Sequence, residues 1–189
     1  MPAKLIFLSG FFGAGKTTLM NAAVEAIPNL DFVVSYTTRP RRSDEISGIG
    51  EYIFVNDAEY MAAKAKSKKW DETIFNNFYY GIDIEGVDKD LQGGTNLIVC
   101  VPPDRAVIER MGSLYASKPL IFWIDTSLDI ANDRAIREGR PERVSHRMQT
   151  SERRAEILDV ADVVFIPESD DVEDNKKKFI DLLLGYLQH

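Results

Sequence analysis

The segment Gly10-Phe11-Phe12-Gly13-Ala14-Gly15-Lys16-Thr17 constrains this chain more than any other. It satisfies G-x-x-x-x-G-K-[ST], the P-loop pattern, and its flanks are those the pattern requires. Ahead of it, Leu5-Ile6-Phe7-Leu8 reads as a buried strand. Behind it, residues 17–27 place Leu19, Ala22, Ala23, Ala26 and Ile27 at helical spacing, and Pro28 stops the helix. A loop between a strand and a helix N-terminus gathers unpaired backbone N–H groups at one point. Glycines let a phosphate come close to them. Gly10, Gly13, Ala14, Gly15, Lys16, Thr17 and Thr18 are therefore expected to cradle a nucleoside triphosphate. Lys16 neutralises its outer phosphates, and the Thr17 hydroxyl is the candidate Mg²⁺ ligand.

A length of 189 residues suits one domain with a real core. The net charge of −7 argues against a general nucleic-acid binder, although clustered arginines can still build a local anion pocket. The single cysteine, Cys100, sits in an apolar run and reads as a core thiol, compatible with a reducing compartment. With His146 and His189 as the only histidines, a His/Cys metal site is not expected. No secretory leader and no membrane-length apolar segment is read in the sequence, so a cytoplasmic location is expected.

Along the chain, apolar runs alternate with helical patterns. Strands are expected at 32–34, 52–55, 97–101, 120–124 and 163–166, with an extended stretch at 70–75. Helices are expected from Asp57, read as a cap, to about Lys68, then over 83–91, from a cap at Asp104 to about Met111, and over 128–137, 152–160 and 172–187. The polar stretch 35–45 is not expected in the core, and 76–81 reads as a turn-rich aromatic patch. The alternation implies an α/β fold whose central parallel sheet is flanked by helices, with the P-loop strand near its middle and the ligand at its carboxyl edge.

Two further stretches resemble the guanylate kinase family. One is Ser35-x-Thr37-Thr38-Arg39-x-x-Arg42-x-x-Glu45-x-x-Gly48, followed by Tyr52-x-Phe54-Val55; the other is Asn77-x-Tyr79-Tyr80-Gly81. The resemblance implies a P-loop NTPase core (1–34, 83–125 and 159–189), a small mixed nucleotide-monophosphate-binding subdomain (35–82) and a helical lid (126–158) within a single domain. It implies transfer of the γ-phosphate of ATP to GMP or dGMP, in purine nucleotide metabolism, by a monomer or homodimer. Carried over by position, Ser35, Arg39, Arg42, Glu45, Tyr52, Asp71 and Tyr80 form the acceptor site, and Arg137, Arg140 and Arg147 arrive on the lid as catalytic charges beside Lys16 and Arg39. The residue types fit the task. Guanidinium forks and hydroxyls match a phosphate, and one carboxylate, Asp71 or its neighbour Glu72, can accept both N–H donors of the guanine edge.

The chain departs from the family pattern by one extra residue between Gly48 and Tyr52, by a lid about one residue shorter, and at three places that bear on the acceptor. Asp71 stands where the family has the longer glutamate, Ile82 where it has Ser or Thr, and Cys100-Val101-Pro102 where it has an acidic strand end. These leave phosphoryl transfer in place and keep two other acceptors open: another (deoxy)nucleoside monophosphate, or ribose 1,5-bisphosphate. A non-catalytic binding module is a third reading, opposed by the completeness of residues 10–17.

Overall fold

The computed structural model describes residues 2–41, 45, 50–75, 77–137, 151–167 and 171–188. Its frame is a five-stranded sheet built from β1 (Leu5–Gly10), β2 (Leu30–Phe32), β7 (Asn96–Cys100), β8 (Leu120–Ile124) and β9 (Val163–Phe165). The order is β2-β7-β1-β8-β9, and every pairing is parallel. β1 is buried at all six positions, as a strand covered on both faces must be. Its residues alternate between two cores. Leu5 and Phe7 join Leu97, Val99, Ile121 and Trp123 on one face, while Ile6 and Leu8 join Ile98, Phe122 and Ile124 on the other.

Helices close both faces. α1 (Lys16–Ala26) and α7 (Val172–Leu187) contribute Leu19, Met20, Ala23, Phe179 and Leu183 to the second core. α3 (Ile84–Gln92), α4 (Arg105–Gly112) and α6 (Ser151–Leu158) contribute Ile84, Val87, Ile108, Met111 and Ile157 to the first. α5 (Leu128–Arg137) follows β8. Asp104 caps α4 as expected, its Oδ1 accepting from the Val107 N–H at 3.2 Å.

A second sheet has the order β4-β3-β6-β5, from β3 (Ser35–Thr37), β4 (Tyr52–Phe54), β5 (Trp70–Phe75) and β6 (Phe78–Asp83). β3 pairs parallel with β4, and β6 pairs antiparallel with both β3 and β5. α2 (Asp57–Lys66) packs on one side, burying Tyr60. Tyr60 stacks on Tyr79 and meets Trp70 edge-on, while Trp70 also contacts Tyr36.

Four sequence expectations are corrected here. The first half of 35–45 is core after all: Ser35 and Thr37 are buried, because a strand flanked on both sides satisfies its backbone and only small hydroxyls remain. The 76–81 patch is mostly strand β6, with the turn confined to its start at Asn77, φ 63°. The strand expected at 32–34 lies at 30–32. The cap of α2 is Asn56, not Asp57. Its Oδ1 accepts from the Glu59 N–H and Glu59 Oε2 accepts from the Asn56 N–H, both at 2.9 Å.

Gly81 is where this sheet tolerates no side chain. A Cβ there would fall well inside contact distance of the Trp70 ring and the Tyr60 hydroxyl. Gly81→Ala is expected to destabilise the fold by about 1–3 kcal/mol through overpacking, read as a lowered urea midpoint at unchanged m-value.

Candidate active site

The loop between β1 and α1 has the conformation that its glycines permit. Gly13 and Gly15 sit at φ 74° and 91°, in the left-handed region that side chains resist. Ala14 N–H donates to Phe11 O at 3.1 Å, and the buried Thr126 hydroxyl donates to Ala14 O at 3.2 Å, tying the loop to the end of β8. Phe11 is buried edge-on against Trp123, so this variable loop position anchors the loop to the core. Lys16 Nζ folds over the loop and donates to Gly10 O and Phe11 O at 2.8 and 2.9 Å. Thr17 and Thr18 lie exposed in the first turn of α1.

The second sheet's register gathers the acceptor-site residues. Ser35 is the partner of Tyr52, Thr37 of Phe54 and Tyr80, Tyr80 of Thr73, and Ile82 of Asp71. Partners share a face, and so do residues two apart. One face therefore carries Ser35, Thr37, Tyr52, Phe54, Asp71, Thr73, Tyr80 and Ile82. The other carries Tyr36, Trp70, Glu72 and Tyr79 beneath α2. Glu72 accepts there from the Tyr60 hydroxyl at 3.1 Å and from Lys64 Nζ at 2.9 Å. Of the two neighbouring carboxylates, then, only Asp71 is on the face of Ser35 and Tyr80.

Arg39 lies over that face, its guanidinium carbon 5.4 Å from the centre of the Tyr52 ring and 5.1 Å from that of Phe54. Glu45 holds it in a two-pronged pair, Nη1 to Oε2 at 2.9 Å and Nη2 to Oε1 at 2.8 Å. The Glu45 hydrogen bond is the main reason the Arg39 pKa is raised, which leaves it a fixed cation. Burial pushes the Tyr52 phenol well up, so it stays a neutral donor at physiological pH, with Tyr80 edge-on to it.

The two halves meet at the end of β7. The Cys100 thiol is pushed far up, chiefly by burial, then by the Glu51 charge, while Lys16 pulls it down; Cys100 and Glu51 also raise Tyr52. Some of the Cys100 residue surface is still accessible, but its sulfur is desolvated and lies 3.7 Å from Met20 Sδ. Ile82 is buried in the first core, so an apolar side chain fills the place where the family pattern has a hydroxyl.

Several site residues escaped the sequence reading. Arg134 of α5 donates through Nη1 to Gly13 O at 3.3 Å, while Arg137, one turn on, is exposed. Both belong to one arginine run, and Arg137 stands three residues further along, at the end of α5. Glu51 brings a carboxylate to Cys100, signalled in sequence only by its place before Tyr52. Arg110 of α4 pairs with Asp71, which no motif could reveal. Arg42, Arg140 and Arg147 lie outside the described residues.

α6 is fastened to the end of β8 by Arg154, whose Nε donates to Asp125 Oδ1 at 2.8 Å, with Nη2 on Oδ2. That bond holds the Asp125 carboxyl below the ordinary carboxylate range. A depressed folded pKa gives stability that is present above the unfolded value and lost as pH falls through the folded one. Arg154 is nearly half exposed, so solvent screens the pair. Asp125→Asn is expected to cost about 0.5–1 kcal/mol at pH 7. Its melting-temperature gap to the unsubstituted protein should begin to close near about pH 4 and vanish at lower pH.

A complete P-loop at the carboxyl end of a parallel sheet, with a second sheet that carries Arg39, Tyr52 and Tyr80 on one face, is the arrangement of a P-loop phosphotransferase. The sequence profile described as guanylate kinase matches residues 2–185. A curated guanylate kinase of Helicobacter pylori is 30% identical over 176 residues, covering 92% of this chain and 83% of the relative. One from a Nostoc species is 28% identical over 175 residues, covering 92% and 85%. The crystal structure of guanylate kinase from Anaplasma phagocytophilum superposes with a TM-score of 0.68 at 18% identity, covering 99% of this chain and 87% of that one. The chain belongs to the guanylate kinase family, whose members are nucleoside monophosphate kinases.

Proposed function

We propose that this protein transfers the γ-phosphoryl group of ATP to GMP, and to dGMP, releasing ADP and the nucleoside diphosphate. The observation that carries the reading is the register of the second sheet, which sets Ser35, Tyr52, Asp71 and Tyr80 on one face with Arg39 above them. Family membership and the complete loop at residues 10–17 support it.

In this mechanism an ionised oxygen of the GMP phosphate attacks the γ-phosphorus. The new O–P bond forms as the bond to the β,γ-bridging oxygen breaks, and ADP carries the electrons away. No general base is needed. Lys16 leaves the carbonyls of Gly10 and Phe11 for the β- and γ-phosphates, and the N–H groups of Gly13 to Thr18 surround them. Arg39, with Arg42, holds the acceptor phosphate alongside Tyr52 and Tyr80, and Glu45 fixes Arg39 in place. Asp71 and Ser35 read the base. Arg137, Arg140 and Arg147 close over the transferring group, with Arg134 already at the loop.

Mg²⁺ fits the donor set. The exposed Thr17 hydroxyl offers one hard oxygen at the helix N-terminus, and among the described residues no cluster of three His, Cys, Asp or Glu side chains competes for the ion. An ion held by Thr17 and substrate phosphates would offset the charge on the β- and γ-oxygens. The division proposed is a core of 1–34, 83–125 and 159–189, an acceptor subdomain of 35–82 and a lid of 126–158, in a cytoplasmic enzyme that is a monomer or homodimer. Among the described residues no helix is long and apolar enough to cross a membrane.

A coupled ADP-release assay across GMP, dGMP, AMP, CMP, UMP and ribose 1,5-bisphosphate tests the reading. GMP and dGMP should stimulate ADP release far above the rest. The apolar Ile82 and the lack of a carboxylate at Cys100 to Pro102 favour a second reading, with one of the other acceptors. Stimulation by one of those and silence with GMP would establish it.

A further inference from the structure

Arg110 stands in the last turn of α4, on the core side, yet it reaches the acceptor sheet. Its Nη1 donates to Asp71 Oδ1, and its Nη2 lies 3.5 Å from Thr73 Oγ1, the next residue on the same face of β5. Asp71 is 4% exposed, whereas the Arg110 side chain is 45% exposed. A carboxylate so far removed from water is costly to bury unless it is paired and hydrogen-bonded, and Arg110 supplies that partner.

A second polar group belongs to the same cluster. Tyr115, 7% exposed and edge-on to Phe7, has a buried hydroxyl with no hydrogen-bond partner among the described residues. Burial, then Asp71 and Asp88, push its phenol up, while Arg110 pulls it down. The hydroxyl is thus a neutral donor within electrostatic reach of the Arg110–Asp71 pair.

We propose that Arg110 is a positioning residue for recognition of the acceptor base: from α4 it holds the Asp71 carboxylate in place, so that the remaining acceptor sites of that carboxylate take the two N–H donors of guanine. The proposal rests on the GMP reading above. It also accounts for how the shorter Asp71 can serve where the family pattern has a glutamate. A carboxylate has about four acceptor sites, and one arginine bond leaves room for the base. The arginine comes from the core rather than from the acceptor sheet, so base recognition is coupled to how closely the two sheets approach.

The test compares GMP with IMP, which lacks the 2-amino donor, in the unsubstituted enzyme and in Arg110→Met and Arg110→Lys. Arg110→Met should raise the KM for GMP by about ten- to a hundredfold and pull the GMP-to-IMP ratio of kcat/KM towards one. The kcat and the KM for ATP should stay within about threefold, since nothing at the P-loop changes. Arg110→Lys should recover part of the preference. Arg110→Gln tests the same point if Arg110→Met does not fold. An unchanged KM for GMP with an unchanged GMP-to-IMP ratio would overturn the proposal. So would an equal loss with both acceptors that tracks a lowered melting temperature, the mark of a brace between the sheets. If the unsubstituted enzyme does not use GMP, the functional reading itself fails and this proposal falls with it. That outcome is seen before any variant is compared.

Discussion

Lys16→Met should lower kcat by about a thousandfold while the protein remains folded. The loss corresponds to ~4 kcal/mol of transition-state stabilisation, the scale of one preorganised charge aimed at a transferring phosphoryl group. Lys16 Nζ donates to Gly10 O and Phe11 O. Losing those two bonds in a partly exposed loop costs stability on the order of only 1 kcal/mol. The loop geometry should survive, because Ala14 remains tied to Phe11 O and Thr126, and Phe11 stays buried against Trp123. Kinetics and thermal melting on the same sample separate the two effects. A kcat within tenfold of the unsubstituted value would remove Lys16 from the proposed chemistry.

Arg39→Ala should be the most damaging change on the acceptor side. It takes away a fixed cation that donates two bonds to Glu45 and is layered on Tyr52 and Phe54. Truncating one member of a desolvated charge contact costs about 2–5 kcal/mol, so kcat/KM for GMP should fall by about a hundred- to a thousandfold or more. The KM for ATP should hold. Arg39→Lys should recover little, because an ammonium restores the charge but not the planar fork that Glu45 and a phosphate both require. Full activity in Arg39→Lys would show that charge alone is needed. A normal KM for GMP in Arg39→Ala would place the phosphate elsewhere.

The parallel sheet was legible because its strands are continuous apolar runs: 97–101 and 120–124 suit burial on both faces, and the structure buries all of these residues but Cys100 and Leu120, which are partly buried. The P-loop was legible for the same local reason, since its strand, glycines and helix are contiguous. The acceptor sheet was harder. Ser35-Tyr36-Thr37 carries no apolar alternation, and its burial depends on neighbours β4 and β6 that lie far along the chain. The cap of α2 was resolved only to within a residue, because Asn56 and Asp57 are both good caps and the choice turned on Glu59 closing the box from three residues away.

Contacts between segments far apart in the chain were the least legible. Arg110 with Asp71, Glu51 beside Cys100, and Arg134 on Gly13 O each join residues separated by dozens of positions or more. No spacing rule encodes such pairs. The motif placed Asp71 at the base-reading position, but only the register of β5 showed that it, and not Glu72, shares a face with Ser35 and Tyr80.

The central claim is that this chain makes GDP from GMP at the expense of ATP. The most direct measurement identifies the products: the protein is incubated with ATP, Mg²⁺ and GMP, and all nucleotides are separated and quantified over time. GDP should appear in equal amount to ADP, at a saturable rate on the order of 1–100 per second per enzyme, and Lys16→Met should slow it by about a thousandfold. ADP without GDP, or GDP no faster than in the Lys16→Met control, would contradict the account.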